Sequence, residues 1–168
     1  MMGAMSGLDM ALFDLKGKLL GVSASELMGG RVRDTVPCYA TGMYFRNVPE
    51  PQLLDMILAE ADGYVKQGYG ALKIKVGKNL VFDQQLIREM RRHFPETRLM
   101  ADSNHAYNLP EAITIGRLLD EHRYAWFEEP LSPEHHGMFR QLADKLDVAI
   151  ATGECEQTRW GFQELLAP

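Results

Sequence analysis

Cysteine is scarce here: among 168 residues only Cys38 and Cys155 carry thiols. They are far apart and have no zinc-like spacing. That excludes a disulfide-framed scaffold and a cysteine-based zinc module, and both are expected to be buried thiols in a reducing cytoplasm. Basic charge is not in excess. The net charge is -5, so no electrostatic footprint for nucleic acid is present. Long apolar runs are missing as well, and none approaches the length of a membrane span. The opening Met1-Met2-Gly3-Ala4-Met5 has neither the charged start nor the long apolar core of a signal peptide. No glycine-rich dinucleotide fingerprint follows the first strand-like run, where Thr41-Gly42-Met43-Tyr44 stands instead.

What remains is 46% hydrophobic and 24% charged, the make-up of a globular chain with a sizeable core. Ser6 reads as an N-cap for a helix whose apolar stripe is Leu8, Ala11, Leu12, Leu15 and Leu19, ended by Gly21. A short second helix runs from Ser25 to Met28. The chain opens on a helix with no strand before it, which points to sequence upstream. Residues 1–35 are therefore expected to form a helical lead-in.

From residue 36 the pattern alternates. Strand-like runs cover Val36–Thr41, Ala71–Val76, Arg98–Asp102, Ala125–Glu128 and Val148–Thr152. Helical stretches lie between them: Pro51 to Gly68, Phe82 to His93, Pro110 to Leu119 and Glu134 to Leu146. Thr158 is expected to cap a last helix. Strand and helix in turn, with connections of this length, predict a parallel sheet of the doubly wound or β/α-barrel kind.

The run Ala71-Leu72-Lys73-Ile74-Lys75-Val76 organises the rest. A strand alternates its faces, so Lys73 and Lys75 point the same way. Two ammonium groups on the inner face of an apolar strand need negative charge opposite them. Asp102, Glu128 and Glu154 each follow a strand-like run, at intervals of 29, 26 and 26 residues counted from Lys73. An edge strand with both lysines in water is the alternative, but it leaves that rhythm unexplained. Acids at the ends of three consecutive strands favour the barrel, whose active sites are assembled there. Five strands do not close an eight-stranded barrel, so residues 36–168 are expected to form a partial one.

Neighbouring strands lie about 4.8 Å apart, so the three acids converge above the sheet. Without a cation they repel one another. With one they make an all-oxygen site suited to Mg²⁺. Separate capping of three following helices is the alternative reading of the same acids. Asn104 can face the same site, whereas Glu129 is expected to point away, toward an adjacent strand or helix. Mg²⁺ beside two lysines suits abstraction of the proton α to a carboxylate. The cation and one lysine stabilise the enediolate, and a second amine takes the proton once neighbouring positive charge favours its neutral form.

Lys73-Ile74-Lys75, Asp102-Ser103-Asn104, Phe127-Glu128-Glu129-Pro130 and Gly153-Glu154 together resemble the mandelate racemase branch of the enolase superfamily. The likeness extends through Ser6–Lys18 and Leu27-Met28-Gly29-Gly30. That superfamily's lysine or histidine base and Mg²⁺ chemistry are a general pattern. The resemblance implies Asp102, Glu128 and Glu154 as metal ligands, Lys75 as the base, Lys73 as its electrostatic partner and Asn104 as a polar neighbour. It also implies a small sugar-acid substrate and a homo-oligomer in the full-length form. Glutamate at position 154 is more similar to the racemase and acid-sugar dehydratase members than to the muconate-lactonising ones. Tyr39–Gly42 and Asp102–Tyr107 resemble sugar-acid dehydratases and galactarolactone-type cycloisomerases.

By that resemblance the N-terminal capping domain and the last barrel strands, with their histidine-aspartate pair, are expected to be missing. None of His93, His105, His122, His135 and His136 stands where that histidine belongs. His105 is expected to be a solvated loop residue, and His135 and His136 surface residues. Dehydration of a sugar acid is the expected reaction, with racemisation or cycloisomerisation as its neighbours. A catalytically incomplete metal-binding piece is the reading of another class.

Overall fold

The computed structural model describes residues 2–167. Two compact units are present, Met1–Pro37 and Cys38–Pro168. In the first, helix α1 (Met2–Leu20) is followed by the short α2 (Ala24–Leu27). Ser6 lies inside α1 rather than at its cap, because Met2, Ala4 and Met5 extend the helix toward the N-terminus. A Cβ at Gly17 would stand 2.7 Å from the Val22 carbonyl oxygen, so a glycine lets the chain turn back over α1. Ser23 then caps α2 through the Glu26 N–H.

The second unit is a five-stranded parallel sheet in the order β1-β2-β3-β4-β5. The strands are β1 (Ala40–Thr41), β2 (Ala71–Lys75), β3 (Arg98–Asp102), β4 (Trp126–Glu128) and β5 (Ala149–Ala151). Between them run α3 (Glu50–Lys66), α4 (Leu80–His93), α5 (Leu109–Glu121) and α6 (His136–Ala143), and α7 (Thr158–Leu165) follows β5. A doubly wound sheet reverses its strand order at a switch point. Here each strand pairs with the next in sequence, which is the winding of a β/α-barrel, five staves of it.

The strand expected over Val36–Thr41 is shorter than its apolar pattern. Only Ala40 and Thr41 pair with β2. Pro37 has no N–H to donate, and Val36 and Tyr39 are exposed. Helix boundaries follow local chemistry more closely. Asn79 caps α4 through the Phe82 N–H at 2.9 Å. Asn108 and Glu111 form a reciprocal capping box at the start of α5. Thr158 is the first residue of α7 rather than its cap, although its hydroxyl does accept from the Trp160 N–H.

Alternation sorts the strands onto two faces. Leu72, Ile74, Leu99, Ala101 and Phe127 are fully buried in the apolar core with the helices. From α4 come Phe82, Leu86, Ile87 and Met90, each at most 1% exposed. Each such side chain contributes about 1.5–3 kcal/mol by leaving water. This apolar layer holds the sheet rigid and leaves the opposite face to Lys73, Lys75, Asp102 and Glu128. Among the described residues, no helix is long and apolar enough to cross a membrane. Cys38 and Cys155 are both exposed, not buried as expected, because Cys38 precedes the short β1 and Cys155 lies in the loop after β5.

Candidate active site

Register brings the charged residues together. Lys75 is the partner of Asp102 across β2 and β3, and Asp102 is the partner of Glu128 across β3 and β4. Lys73 Nζ donates to Glu128 Oε1 at 2.7 Å and lies 3.2 Å from Asp102 Oδ2. Lys75 Nζ donates to Asp102 Oδ2 and to Asn104 Oδ1, both at 2.6 Å. The lysines therefore face carboxylates across the sheet and not open water.

Burial makes these charges depend on one another. Asp102 is 2% exposed. Desolvation pushes its pKa up, but hydrogen bonds and attraction from Lys75 and Lys73 more than offset that, so its carboxyl titrates below the usual aspartate range. For Lys73 burial works to lower the pKa. Its bonds to Glu128 and Asp102 prevail and hold the ammonium above the usual lysine range.

Glu154 lies on the loop after β5. Its carboxylate groups with His105, Glu129 and Cys155, whose candidate donor atoms are all within 4.8 Å of one another. Asp102 and Glu128 are thus joined through Lys73, while Glu154 belongs to a neighbouring cluster. The donor chemistry at Asp102 and Glu128 fits Mg²⁺: hard carboxylate oxygens at the same end of adjacent strands, already drawing two ammonium groups to them.

Several participants escaped the sequence reading. Trp126 Nε1 donates to Glu128 Oε2 at 3.1 Å. Its position two residues before Glu128 puts it on the same strand face, and that parity was available as a signal. The Tyr39 ring lies 5.6 Å from Lys73 Nζ, and the Tyr44 ring 5.9 Å from Lys75 Nζ. No spacing rule points to either tyrosine.

Two histidines correct the expectation of solvated side chains. His105 is only 30% exposed because it reaches the buried Glu129 carboxylate. His136 is 19% exposed and bonds Glu156 at 2.7 Å. His135 is exposed, as expected. Glu129 turns away from Lys73 and Lys75, with its φ at 45° carrying it out of strand alternation.

Two hollows flank the charged group. One of about 330 Å³ lies on the Glu154 side, lined by Trp126, Glu128, Glu129, Ala151, Thr152 and Glu154. The other, of about 400 Å³, lies on the Lys75 side, lined by Tyr44, Phe45, Lys75, Gly77, Asn104 and their neighbours. Gly77, with φ at 101°, lets the loop after β2 press on the loop after β3. A Cβ there would meet the Ala106 Cβ at 2.5 Å and the Ser103 oxygen at 3.0 Å.

A partial barrel with paired lysines and acids at its strand ends is what an enolase-type catalytic domain looks like. The chain belongs to that family: the family model described as enolase C-terminal domain-like matches residues 56–168. The mandelate racemase / muconate lactonizing enzyme N-terminal domain model matches residues 1–29, so the helical lead-in is itself part of the family pattern. The D-galactarolactone cycloisomerase of Agrobacterium fabrum is 38% identical over 166 residues, which are 98% of this chain and 43% of that protein. The solved 3,6-anhydro-D-galactonate cycloisomerase of Zobellia galactanivorans is 39% identical with a TM-score of 0.89, covering 98% of this chain and 45% of that one. An L-talarate dehydratase from a Polaromonas species, solved with Mg and L-glucarate, is 32% identical with a TM-score of 0.79, covering 94% and 43%. The chain thus spans somewhat under half the length of these relatives.

Proposed function

We propose that this chain carries the metal-and-lysine half of an enzyme that removes the proton α to the carboxylate of a sugar acid. The observation that carries the reading is the contact set joining Lys73, Lys75, Asp102, Glu128 and Asn104 at the ends of β2, β3 and β4. In this reading Asp102, Glu128 and Glu154 would hold Mg²⁺. The domain limits, a lead-in over 1–35 and a partial barrel over 36–168, belong to the same proposal, as does cytoplasmic residence.

Bound Mg²⁺ would supply positive charge against the enediolate. The chain's own residues do the rest. Lys73 is fixed between two carboxylates and presents a lasting positive charge to the substrate carboxylate. Lys75 reaches into the hollow bordered by Tyr44 and Asn104 and, in its neutral amine form, takes the α-proton on Nζ. Asn104 Oδ1 orients that amine. The β-hydroxyl then takes a proton from a general acid and leaves as water, giving an enol that tautomerises to a 2-keto acid. Support for dehydration comes from the Polaromonas dehydratase solved with L-glucarate. Cycloisomerisation has its own support, since two relatives at 38% and 39% identity are cycloisomerases. A third reading is Mg²⁺ uptake by the carboxylates without turnover.

The test is incubation of the purified chain with Mg²⁺ and a panel of open-chain sugar acids and their lactones. Conversion to a 2-keto acid is expected, abolished by Lys75→Ala with Mg²⁺ affinity retained. Consumption of lactones alone would favour cycloisomerisation, and uptake of Mg²⁺ without product the binding-only reading. Neither product nor Mg²⁺ uptake would overturn the proposal.

A further inference from the structure

Glu129 is a fully buried acid outside the lysine network, and among the described residues no lysine or arginine pairs with it. Every bond of its carboxylate goes to a loop that carries a proposed site residue. Oε1 accepts from the Thr152 hydroxyl at 2.6 Å and from the Gly153 N–H at 3.2 Å, the two residues before Glu154. Oε2 accepts from His105 Nε2, one residue past Asn104. A carboxylate has no proton to give, so the ring nitrogen is the donor. The backbone repeats the link: the Glu129 N–H donates to the Ala151 oxygen at 2.8 Å, and its carbonyl accepts from the His105 N–H at 2.7 Å.

The local conformation fits a tie of this kind. Asn104, His105 and Glu129 all have φ between 44° and 67°, a region disfavoured for residues with a Cβ. Such conformations persist only where surrounding bonds over-determine them, and they gather at functional sites. Here those bonds converge on one buried carboxylate.

From this geometry we propose that Glu129 is a positioning residue. It ties the loop after β5, which presents Glu154, to the loop after β3, which presents Asn104, and so sets where Glu154 meets the cation. The role in cation binding rests on the reading of Glu154 as a ligand, whereas the tie between loops does not. Partners that orient a ligand from behind change metal affinity by about 10–100-fold when lost.

The experiment compares the full chain with Glu129→Ala, Glu129→Gln and Thr152→Val. Mg²⁺ affinity is measured by calorimetry, and amide hydrogen exchange is followed over residues 103–107 and 152–157. Glu129→Ala is expected to speed exchange in both loops together and weaken Mg²⁺ about tenfold or more. Exchange at Leu72–Ile74 should stay slow, which reports that the sheet is folded. Glu129→Gln keeps an acceptor for Thr152 and Gly153, and is expected to recover most of the affinity. Thr152→Val removes one bond and should weaken Mg²⁺ less than Glu129→Ala, keeping the test available if the alanine variant does not fold. Unchanged exchange in the two loops overturns the tie. Loosened loops with unchanged Mg²⁺ affinity overturn the positioning role. A wild-type chain that binds no Mg²⁺ overturns the metal reading and the positioning role with it, and the exchange data then decide the tie alone.

Discussion

Lys75 Nζ and Asp102 Oδ2 stand 2.6 Å apart, on residues that are direct register partners across two parallel strands. The same oxygen lies 3.2 Å from Lys73 Nζ. One buried aspartate therefore serves two ammonium groups, and Lys73 serves a second acid, Glu128. The arrangement balances charge without a cation, but only while every member is present.

Removing Lys73 breaks that balance. Lys73→Met leaves Glu128 without its 2.7 Å partner and Asp102 with one ammonium in place of two. Loss of one partner from a buried pair costs about 3–5 kcal/mol. We expect a stability loss near the lower end, since Lys75 still holds Asp102. Added Mg²⁺ should stabilise the variant more than the wild-type chain, because it replaces the missing positive charge. Urea denaturation with and without Mg²⁺ measures both effects. A variant as stable as wild type would mean that the pairing contributes nothing net.

The pKa directions set the pH profile of the metal-free chain. Asp102 titrates below its unfolded value, so its contribution is present above that value and lost as pH falls through the depressed folded pKa. Lys73 titrates above its unfolded value. Its contribution is present below that value and lost as pH rises through the raised folded pKa. The contribution of these two groups is expected to be flat between their unfolded values and to decline at both ends. In Lys73→Met the alkaline decline should weaken, and the acid decline should become smaller and be complete at higher pH. Denaturation midpoints across a pH series check this, and identical profiles for the two proteins would refute it.

Much of this network was legible as pattern. Lys73 and Lys75 are two apart, so any strand puts them on one face, and Pro95 upstream with Asp102 at the end delimits β3 residue for residue. Other features depended on what pattern does not carry. In β1 the paired residues are Ala40 and Thr41, although Val36 to Thr41 reads as a strand. Glu129 and His105 meet where Asn104 and His105 after β3 and Glu129 after β4 adopt left-handed φ, which breaks the alternation that a strand reading relies on. Glu154 lies three residues beyond β5, where strand parity no longer says which way a side chain points.

A buried acid away from the site gives a contrasting test. Asp83 is fully buried and accepts from the Tyr107 hydroxyl at 2.8 Å and the Lys78 N–H at 3.1 Å. Burial raises its pKa, opposed by those bonds. Tyr107→Phe removes one donor and should cost about 1–3 kcal/mol near neutral pH. Because the folded pKa of Asp83 lies above its unfolded value, protonation favours the folded state. The deficit should therefore shrink as pH falls through that folded pKa. A deficit that is constant with pH would show that Asp83 does not carry it.

Trp126 offers the sharpest separation of stability from binding. Glu128 is held at both oxygens, Oε1 by Lys73 at 2.7 Å and Oε2 by Trp126 Nε1 at 3.1 Å. The indole also meets the Tyr39 ring edge-on, with centroids 5.5 Å apart, and that tyrosine covers Lys73. Trp126→Phe keeps an aromatic ring against Tyr39 and removes the donor. Its stability should change by only about 1 kcal/mol, the usual worth of one hydrogen bond. On the proposed role of Glu128 as a Mg²⁺ ligand, the affinity should fall about tenfold, because Oε2 loses the donor that orients it. Calorimetric titration of the two proteins, beside their denaturation curves, distinguishes the outcomes. Equal affinities would mean that the indole does not set the orientation of Glu128, and a large stability loss that it acts through packing instead.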